Sequence, residues 1–269
     1  MAKNEPLVSV LITSYNREKY IADAIESVLL STFKNFELIV VDDCSSDNTI
    51  EIIRSYEKKD NRIRVFVNEK NLGDYYNRNK AASYAIGKYI KYLDSDDILY
   101  AHGLSLFVES MEKYPDAAFG LCSIYDTKTP YPVLIEPRQI YLEHFFGFNH
   151  FFRAPGSAII RRDIFESENG FSGKRWIGDT ELWMKLASKY KLVKIHVDLY
   201  WARPHNQQEG SMFLNQTVSA CNQIVEEYIN KSSCPLSTKD LKAVKWKLRR
   251  KKIKNGLTNF IFAITRQRK

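Results

Sequence analysis

Residues 7–14, LVSVLITS, and residues 36–43, FELIVVDD, are apolar runs of strand length that open into polar loops, TSYNRE after the first and VDDCSSDN after the second. In the first run Val8, Val10 and Ile12 share one side. Between the runs, residues 18–31 carry Tyr20, Ala24, Val28 and Leu29 at helical spacing. The alternation continues outward from this unit. Ser46 and Asp47 stand where they can cap a helix through Ile50, Ile53 and Tyr56, and RIRVFVN (62–68) reads as a third strand. A helix over about 74–86 follows, then KYIKYLDSDD (88–97) as a fourth strand ending in acids. Strands separated by helix-length crossovers predict an α/β fold with a parallel sheet covered on both faces. In such sheets ligands bind beyond the carboxyl ends of the strands, near a reversal of strand order.

Those carboxyl ends hold the unusual residues. Three strand ends deliver Tyr15, Asp42, Asp43, Asp94, Asp96 and Asp97 to one rim. A single loop aspartate is most simply a helix cap, the reading Asp97 invites before ILYAHGL. Five at one rim repel unless a cation or its equivalent joins them. Beyond residue 115 the pattern loosens: AAFGLCSIY (117–125) and SAIIR (157–161) read as strands, with an aromatic, proline-bearing segment between them. KRWIGDTELWMKLASKY then begins a helix, LVKIHVDL is a last strand, and from about 206 the chain reads as helices.

The 269 residues are 44% hydrophobic, which excludes a disordered or fibrous chain. Cys44, Cys122, Cys221 and Cys234 are far apart, without zinc-site spacing, and are expected to be free thiols of a cytoplasmic protein. The first residues show no basic and then apolar leader, and no apolar run approaches the ~20 residues that span a bilayer. Charge is unevenly spread. Residues 231–269 hold 13 Lys+Arg and one acid, Asp240, so this end carries +12, and the total of +8 leaves −4 for residues 1–230. A concentration of one sign points to a partner.

VSVLITSYNREKYIADAIESVL, FELIVVDDCSSDNT, NLGDYYNRNKA, KYIKYLDSDD and GDTELWMKLA, in this order over roughly residues 6–205, resemble the GT-A catalytic domain of family 2 glycosyltransferases. The resemblance implies a GT-A domain over 1–205 (Rossmann-like, with a mainly parallel central sheet flanked by helices) and a helical, strongly basic extension over 206–269. It implies an inverting, metal-dependent transfer of a sugar from a nucleotide sugar, with a UDP-hexose as the expected donor. The expected acceptor is a hydroxyl of a glycan, glycolipid or glycoprotein in bacterial surface-polysaccharide or protein-glycan synthesis.

By resemblance Tyr15 stacks on the base of the nucleotide, Asp43 hydrogen-bonds its edge, and Arg78 is the basic residue on that side of the donor. A ring over a planar base suits tyrosine physically. Read alone, Arg78 is equally a solvated helix arginine. The DxD motif implies Mn²⁺ or Mg²⁺, which prefer hard oxygen ligands and take few carboxylates. Asp96 is the implied direct ligand, Asp94 faces the ribose or supports the site, and Asp97 is either ligand or helix cap. His205 suits a nitrogen ligand to the cation or a diphosphate contact. Asp179 matches the catalytic base, although by itself it reads as a helix N-cap with Glu181 in the first turn. The family often has an acid where Gly178 stands here. Trp176 and the loop Arg153–Ser157 lie where acceptors approach.

Two rival readings meet obstacles in the residues. A nucleotidyltransferase carries a Gly-rich loop after its first strand, but TSYNREKY has no glycine, and no P-loop occurs. A nucleic-acid binder would explain the tail, but no recognised nucleic-acid module appears and the body is acidic. Within the tail Leu241, Val244, Leu248, Leu257, Ile261 and Ile264 recur at helical spacing among basic residues, with Trp246 and Phe260 nearby. This predicts either a helix lying on an anionic membrane surface or one packed on the body or a second subunit through residues 237–269.

Overall fold

The structure is a computed structural model describing residues 5–122, 129–197, 199–205 and 214–250. Its first half is the alternating unit expected: β1 (Val8–Ser14), α1 (Ile21–Leu29), β2 (Phe36–Asp42), α2 (Thr49–Glu57), β3 (Ile63–Val67), α3 (Asp74–Ala82) and β4 (Tyr89–Asp94). Every residue of β1 and β2 is buried. Their two-residue period sends Val8, Val10, Ile12, Leu38 and Val40 to one apolar layer with α1, and Leu11, Ile39 and Val41 to the other with α3. Asp47 rather than Ser46 serves the start of α2, accepting from the Thr49 amide at 3.0 Å.

The chain continues through β5 (Ile98–Leu99), α4 (Gly103–Lys113), β6 (Phe119–Cys122), β7 (Val133–Ile135), α5 (Pro137–Phe146), β8 (Ala158–Arg161), α6 (Arg162–Ser167), α7 (Gly178–Ala187), β9 (Leu192–Ile195), β10 (Tyr200–Trp201) and α8 (Leu214–Asn230). A further helix covers 238–250. The main sheet has the order β3-β2-β1-β4-β8-β6-β9-β7, and β5 pairs with β10 apart from it. The pairs β2–β3, β1–β2 and β1–β4 are parallel. The chain steps from β1 outward to β3 and then returns to the other side of β1, so strand order reverses between β1 and β4, where a site is expected.

The sheet is mainly parallel, as expected, and its antiparallel pairs lie in the far half. β8 is antiparallel to both β4 and β6, and β7 is antiparallel to β9. The chain enters β8 from the rim where β4 ends, Ile159 standing opposite Lys91, so the strand can only lead away from that rim. Strand four is shorter than expected. It stops at Asp94, and the Asp97 amide donates to the Asp94 carbonyl at 3.0 Å to close a turn.

α8 buries Ile224, Val225, Tyr228 and Ile229 in the same apolar cluster as Leu182, Trp183 and Met184 of α7. Helix 238–250 adds Leu241, Val244 and Leu248 to that cluster. The anticipated apolar stripe is therefore packed on the body over 241–248, and Leu257, Phe260, Ile261 and Ile264 lie outside the described residues. Among the described residues no helix is long and apolar enough to cross a membrane.

Candidate active site

The loops after β1 and β2 are stitched together. The Asn16 amide donates to Ser45 Oγ at 2.8 Å, the Ser46 amide to Asn16 Oδ1 at 2.9 Å, and the Arg17 amide to Thr49 Oγ1 at 2.8 Å. This holds Tyr15 with its side chain out in solvent, 47% exposed. Asp42 is not part of the open rim: it is fully buried and accepts from Ser14 Oγ at 2.9 Å and from the Ser45 amide and hydroxyl at 2.8 and 2.6 Å. Asp43, also buried, accepts from Asn68 Nδ2, the Leu72 amide and the Gly73 amide at 2.8–2.9 Å. It thereby folds the 68–73 loop onto the end of β2, with Gly73 at φ 84° making the bend.

The repulsion expected among the rim acids is met by the chain's own cations. Arg78 is buried, not a solvated helix residue. Its Nε donates to Asp74 Oδ1 and its Nη2 to Asp94 Oδ1, both at 2.8 Å, and the guanidinium lies 5.7 Å from the Tyr92 ring. The remaining nitrogen, Nη1, is buried without a hydrogen-bond partner among the described residues. Such a donor is costly unless a ligand completes it.

Asp96 is flanked by Arg17 Nε at 3.4 Å and His205 Nε2 at 2.9 Å. The His205 ring rests against that of Tyr20, centroids 5.0 Å apart. Arg203 clamps the turn that holds these acids. Its amide donates to Asp97 Oδ1 at 3.0 Å, its Nε to the Asp96 carbonyl at 2.9 Å, and its Nη2 to Asp23 Oδ2 at 2.8 Å. Asp97 is therefore no cap of α4, which begins six residues later at Gly103. Burial, with Asp94 and Asp96 nearby, pushes its carboxyl up to about 7.

Arg17, Arg203 and Asp74 were not singled out from the sequence. Arg17 sits in TSYNRE and Arg203 next to His205, but nothing in their spacing says which acid each meets. Among the described residues no group of three or more His, Cys, Asp or Glu side chains is placed to hold a metal ion. Asp96 and His205 still converge as one oxygen and one imidazole nitrogen. That donor pair fits a divalent cation that draws its remaining ligands from phosphate and water.

Asp179 lies inside the first turn of α7, not at its N-cap, which is Ile177. Its Oδ1 accepts from the Thr180 amide at 2.6 Å. Burial pushes the carboxyl up to about 7; Asp74 adds to the rise, while Arg78 and the Tyr75 hydroxyl oppose it. Asp94, Arg78, Asp74 and Asp179 thus form one electrostatic network. The glycine before the base has a local reason. A Cβ at Gly178 would come within 2.8 Å of the Tyr75 ring, so this chain has filled with an aromatic the space an acidic side chain would need. The Arg153–Ser157 loop is fixed at the same rim. The Arg153 carbonyl accepts from Trp183 Nε1 at 2.7 Å and the Gly156 carbonyl from buried Lys91 Nζ at 2.5 Å. Trp176 is half-buried and packs against the core cluster.

With this arrangement in hand, comparison with known proteins finds that the profile described as "Glycosyl transferase family 2" matches residues 9–168. The chain belongs to glycosyl transferase family 2. The match contains Tyr15, Asp43, Arg78, Asp94 and Asp96; Asp179 and His205 lie beyond it. Among curated relatives, glycosyltransferase GlyG of Streptococcus pneumoniae is 28% identical over 89% of this chain and 84% of its own length. The UDP-Glc:alpha-D-GlcNAc-diphosphoundecaprenol beta-1,3-glucosyltransferase WfgD of Escherichia coli is 45% identical over 40% of this chain and 42% of its own. The chain spans well under half the length of the first curated relatives it matches, 38% and 17%.

Among solved structures, TarS of S. aureus in complex with UDP-GlcNAc is similar with TM-score 0.68 and 20% identity, over 88% of this chain and 70% of that one. The mannosyltransferase PcManGT of Pyrobaculum calidifontis, in complex with GDP-Man and Mn²⁺, gives TM-score 0.67 and 17% identity over 87% and 67%. These likenesses bear on the fold, which is the GT-A arrangement expected. Family membership sets aside the nucleotidyltransferase reading.

Proposed function

We propose that this chain is an inverting glycosyltransferase that moves a hexose from a UDP-sugar to a hydroxyl of a glycan acceptor in bacterial surface-polysaccharide or protein-glycan synthesis. Residues 1–205 form the catalytic domain in this reading, and 206–269 the extension. The observation that carries it is the single network joining Asp94, Arg78, Asp74 and Asp179 at the strand-order reversal, with one buried arginine nitrogen left open.

Tyr15 stacks on the uracil. Asp43, whose carboxylate has acceptor capacity beyond its three loop donors, meets the edge of the base. Arg78 uses its open Nη1 on the donor, and Asp94, which orients Arg78, lies toward the ribose. Asp96 and His205 would hold Mn²⁺ or Mg²⁺. When bound, that ion supplies Lewis-acid neutralisation of the departing diphosphate. Asp179 accepts the proton of the acceptor hydroxyl. The freed oxygen bonds to the anomeric carbon from the face opposite the diphosphate, the bond from that carbon to phosphate oxygen breaks, and UDP departs with the electron pair. One displacement inverts the centre. A base whose pKa lies near neutrality suits this task. The Arg153–Ser157 loop and Trp176 border the acceptor side. The glucosyl donor and diphospholipid-linked acceptor in the name of the Escherichia coli relative support both the UDP-hexose and a glycolipid as acceptor.

Release of nucleotide from UDP-glucose, UDP-galactose, UDP-N-acetylglucosamine and GDP-mannose without acceptor tests the reading. The expected result is slow hydrolysis of one UDP-sugar, stopped by EDTA and restored by Mn²⁺. Hydrolysis of GDP-mannose alone would overturn the donor assignment, and full activity in EDTA the cation assignment.

A further inference from the structure

None of the residues assigned above to the donor site lies in the basic end of the chain, and the fold shows what the described helix 238–250 presents outward. Helix 238–250 has committed Leu241, Val244 and Leu248 to the core, while Lys242, Lys245, Trp246, Arg249 and Arg250 stay exposed. Trp246 is 59% exposed and Phe146, the last residue of α5, 48%. Each ring has a cation of this helix beside it: Lys247 Nζ lies 5.1 Å from the Phe146 ring and the Arg250 guanidinium 4.6 Å from the Trp246 ring. Asp240, the one acid in 231–250, accepts from Arg138 at 2.8 and 2.9 Å and from Ser237 Oγ at 2.6 Å. Among the described residues it therefore leaves Lys242, Lys245, Arg249 and Arg250 without an ion pair.

We propose that this face docks the protein on an anionic phospholipid surface. The rings of Trp246 and Phe146 enter the headgroup layer, and the surrounding lysines and arginines meet lipid phosphates. Tryptophan favours the membrane–water interface because its apolar body leaves water while its indole N–H stays hydrated, and phenylalanine adds apolar surface to the same insertion. Basic side chains near a negative leaflet add attraction, and their alkyl stems lie along the same boundary. A soluble acidic partner would answer the charge but gives no reason for two large aromatic side chains exposed to solvent among it.

The face is also mechanically joined to the acceptor side. α5 is bonded to α7 through Tyr141 Oη and the Met184 carbonyl at 2.9 Å. The segment after Phe146 leads directly to the Arg153–Ser157 loop held by Trp183 and Lys91. An acceptor carried on a lipid would therefore meet the rim from the docked side. That last step rests on the proposed transferase reading; the docking itself does not.

The test uses the full chain and sedimentation with vesicles of phosphatidylcholine, with and without phosphatidylglycerol. Binding to the anionic vesicles only, weakened by salt, is expected. The double variant Phe146→Ser/Trp246→Ser, which leaves the net charge unchanged, is expected to lower vesicle affinity about tenfold or more. Its thermal unfolding and donor hydrolysis should match the parent, because neither residue belongs to the donor site. Lys242→Glu/Arg249→Glu should lose most of the binding at low salt. Indifference of the parent protein to anionic vesicles would overturn the proposal. So would unchanged binding by the aromatic double variant, or a dimer that this variant turns into a monomer without affecting vesicles. Absence of nucleotide-sugar hydrolysis alongside intact vesicle binding would instead count against the transferase reading alone.

Discussion

His205 Nε2 lies 2.9 Å from Asp96 Oδ2, a contact between residues 109 positions apart. Two features lock it. The imidazole is backed by the Tyr20 ring, and the segment carrying it is pinned to the Asp96–Asp97 turn by Arg203. The carboxylate is shielded, with Arg17 on its other side, so it is oriented before any ligand arrives. Preorganisation of this kind is what a cation ligand needs, because an acid free to rotate would lose entropy on binding.

Asp96→Ala is expected to abolish cation-dependent turnover and to weaken UDP binding in the presence of Mn²⁺. His205→Ala should reduce cation affinity by at least about 10–100-fold, since removal of even an outer partner of a ligand costs that much. Titration calorimetry with Mn²⁺ and UDP, beside turnover with and without EDTA, checks both. Wild-type turnover by Asp96→Ala in excess EDTA would sink the assignment.

Asp179→Asn separates chemistry from binding. Transfer should fall by ~10²–10⁴, the usual worth of a positioned base, while UDP affinity stays within a few-fold. A large loss of UDP affinity would show that this carboxylate serves the donor site.

The same residue links stability to pH. Burial raises the native carboxyl from 3.8 to about 7, so the folded state binds the proton more tightly than the unfolded chain. Its contribution is fully present below pH ~4 and is lost as pH rises through about 7. At pH ~8 Asp179→Asn should therefore be more stable than the parent by up to roughly 4 kcal/mol, an advantage that vanishes near pH ~4. Urea melts at the two pH values measure it, and equal stability of parent and variant at both would refute the shift.

Asp74 raises the Asp179 carboxyl through space, and Arg78 lowers it. Asp74→Asn removes the raising charge while Arg78 keeps its bond to Asp94. The acidic limb of kcat/KM, expected near pH ~7 for the parent, should move to lower pH. A limb that stays in place, or moves up, would detach Asp179 from that limb.

Arg203→Lys keeps the charge but cannot reach the Asp96 carbonyl and Asp23 together, since it lacks the planar fork. We expect a loss of about 1–2 kcal/mol in stability and a weaker response of UDP binding to Mn²⁺. Unchanged Mn²⁺ dependence would mean that the clamp serves folding only.

Much of this protein was legible in the sequence. Alternating apolar strands and helix-spaced crossovers determined the four parallel strands β1 to β4, because local periodicity dictates which faces must be buried. The order of the motifs likewise located Tyr15, Asp43, Arg78, Asp94 and Asp96 within the family match, since a short loop after a strand has little choice of where to lie. Tertiary structure alone decided what each charge meets. Asp42 and Asp97 resemble Asp96 in sequence, yet Asp42 is sealed by Ser14 and Ser45, Asp97 is held by the backbone of Arg203, and only Asp96 faces His205. The antiparallel course of β8 and the ring of Tyr75 against Gly178 were equally out of reach, and packing decided between the two readings of Leu241, Val244 and Leu248. Each depends on contacts between segments far apart in the chain. Periodicity shows that a side chain must find a partner; the folded packing determines which partner it finds.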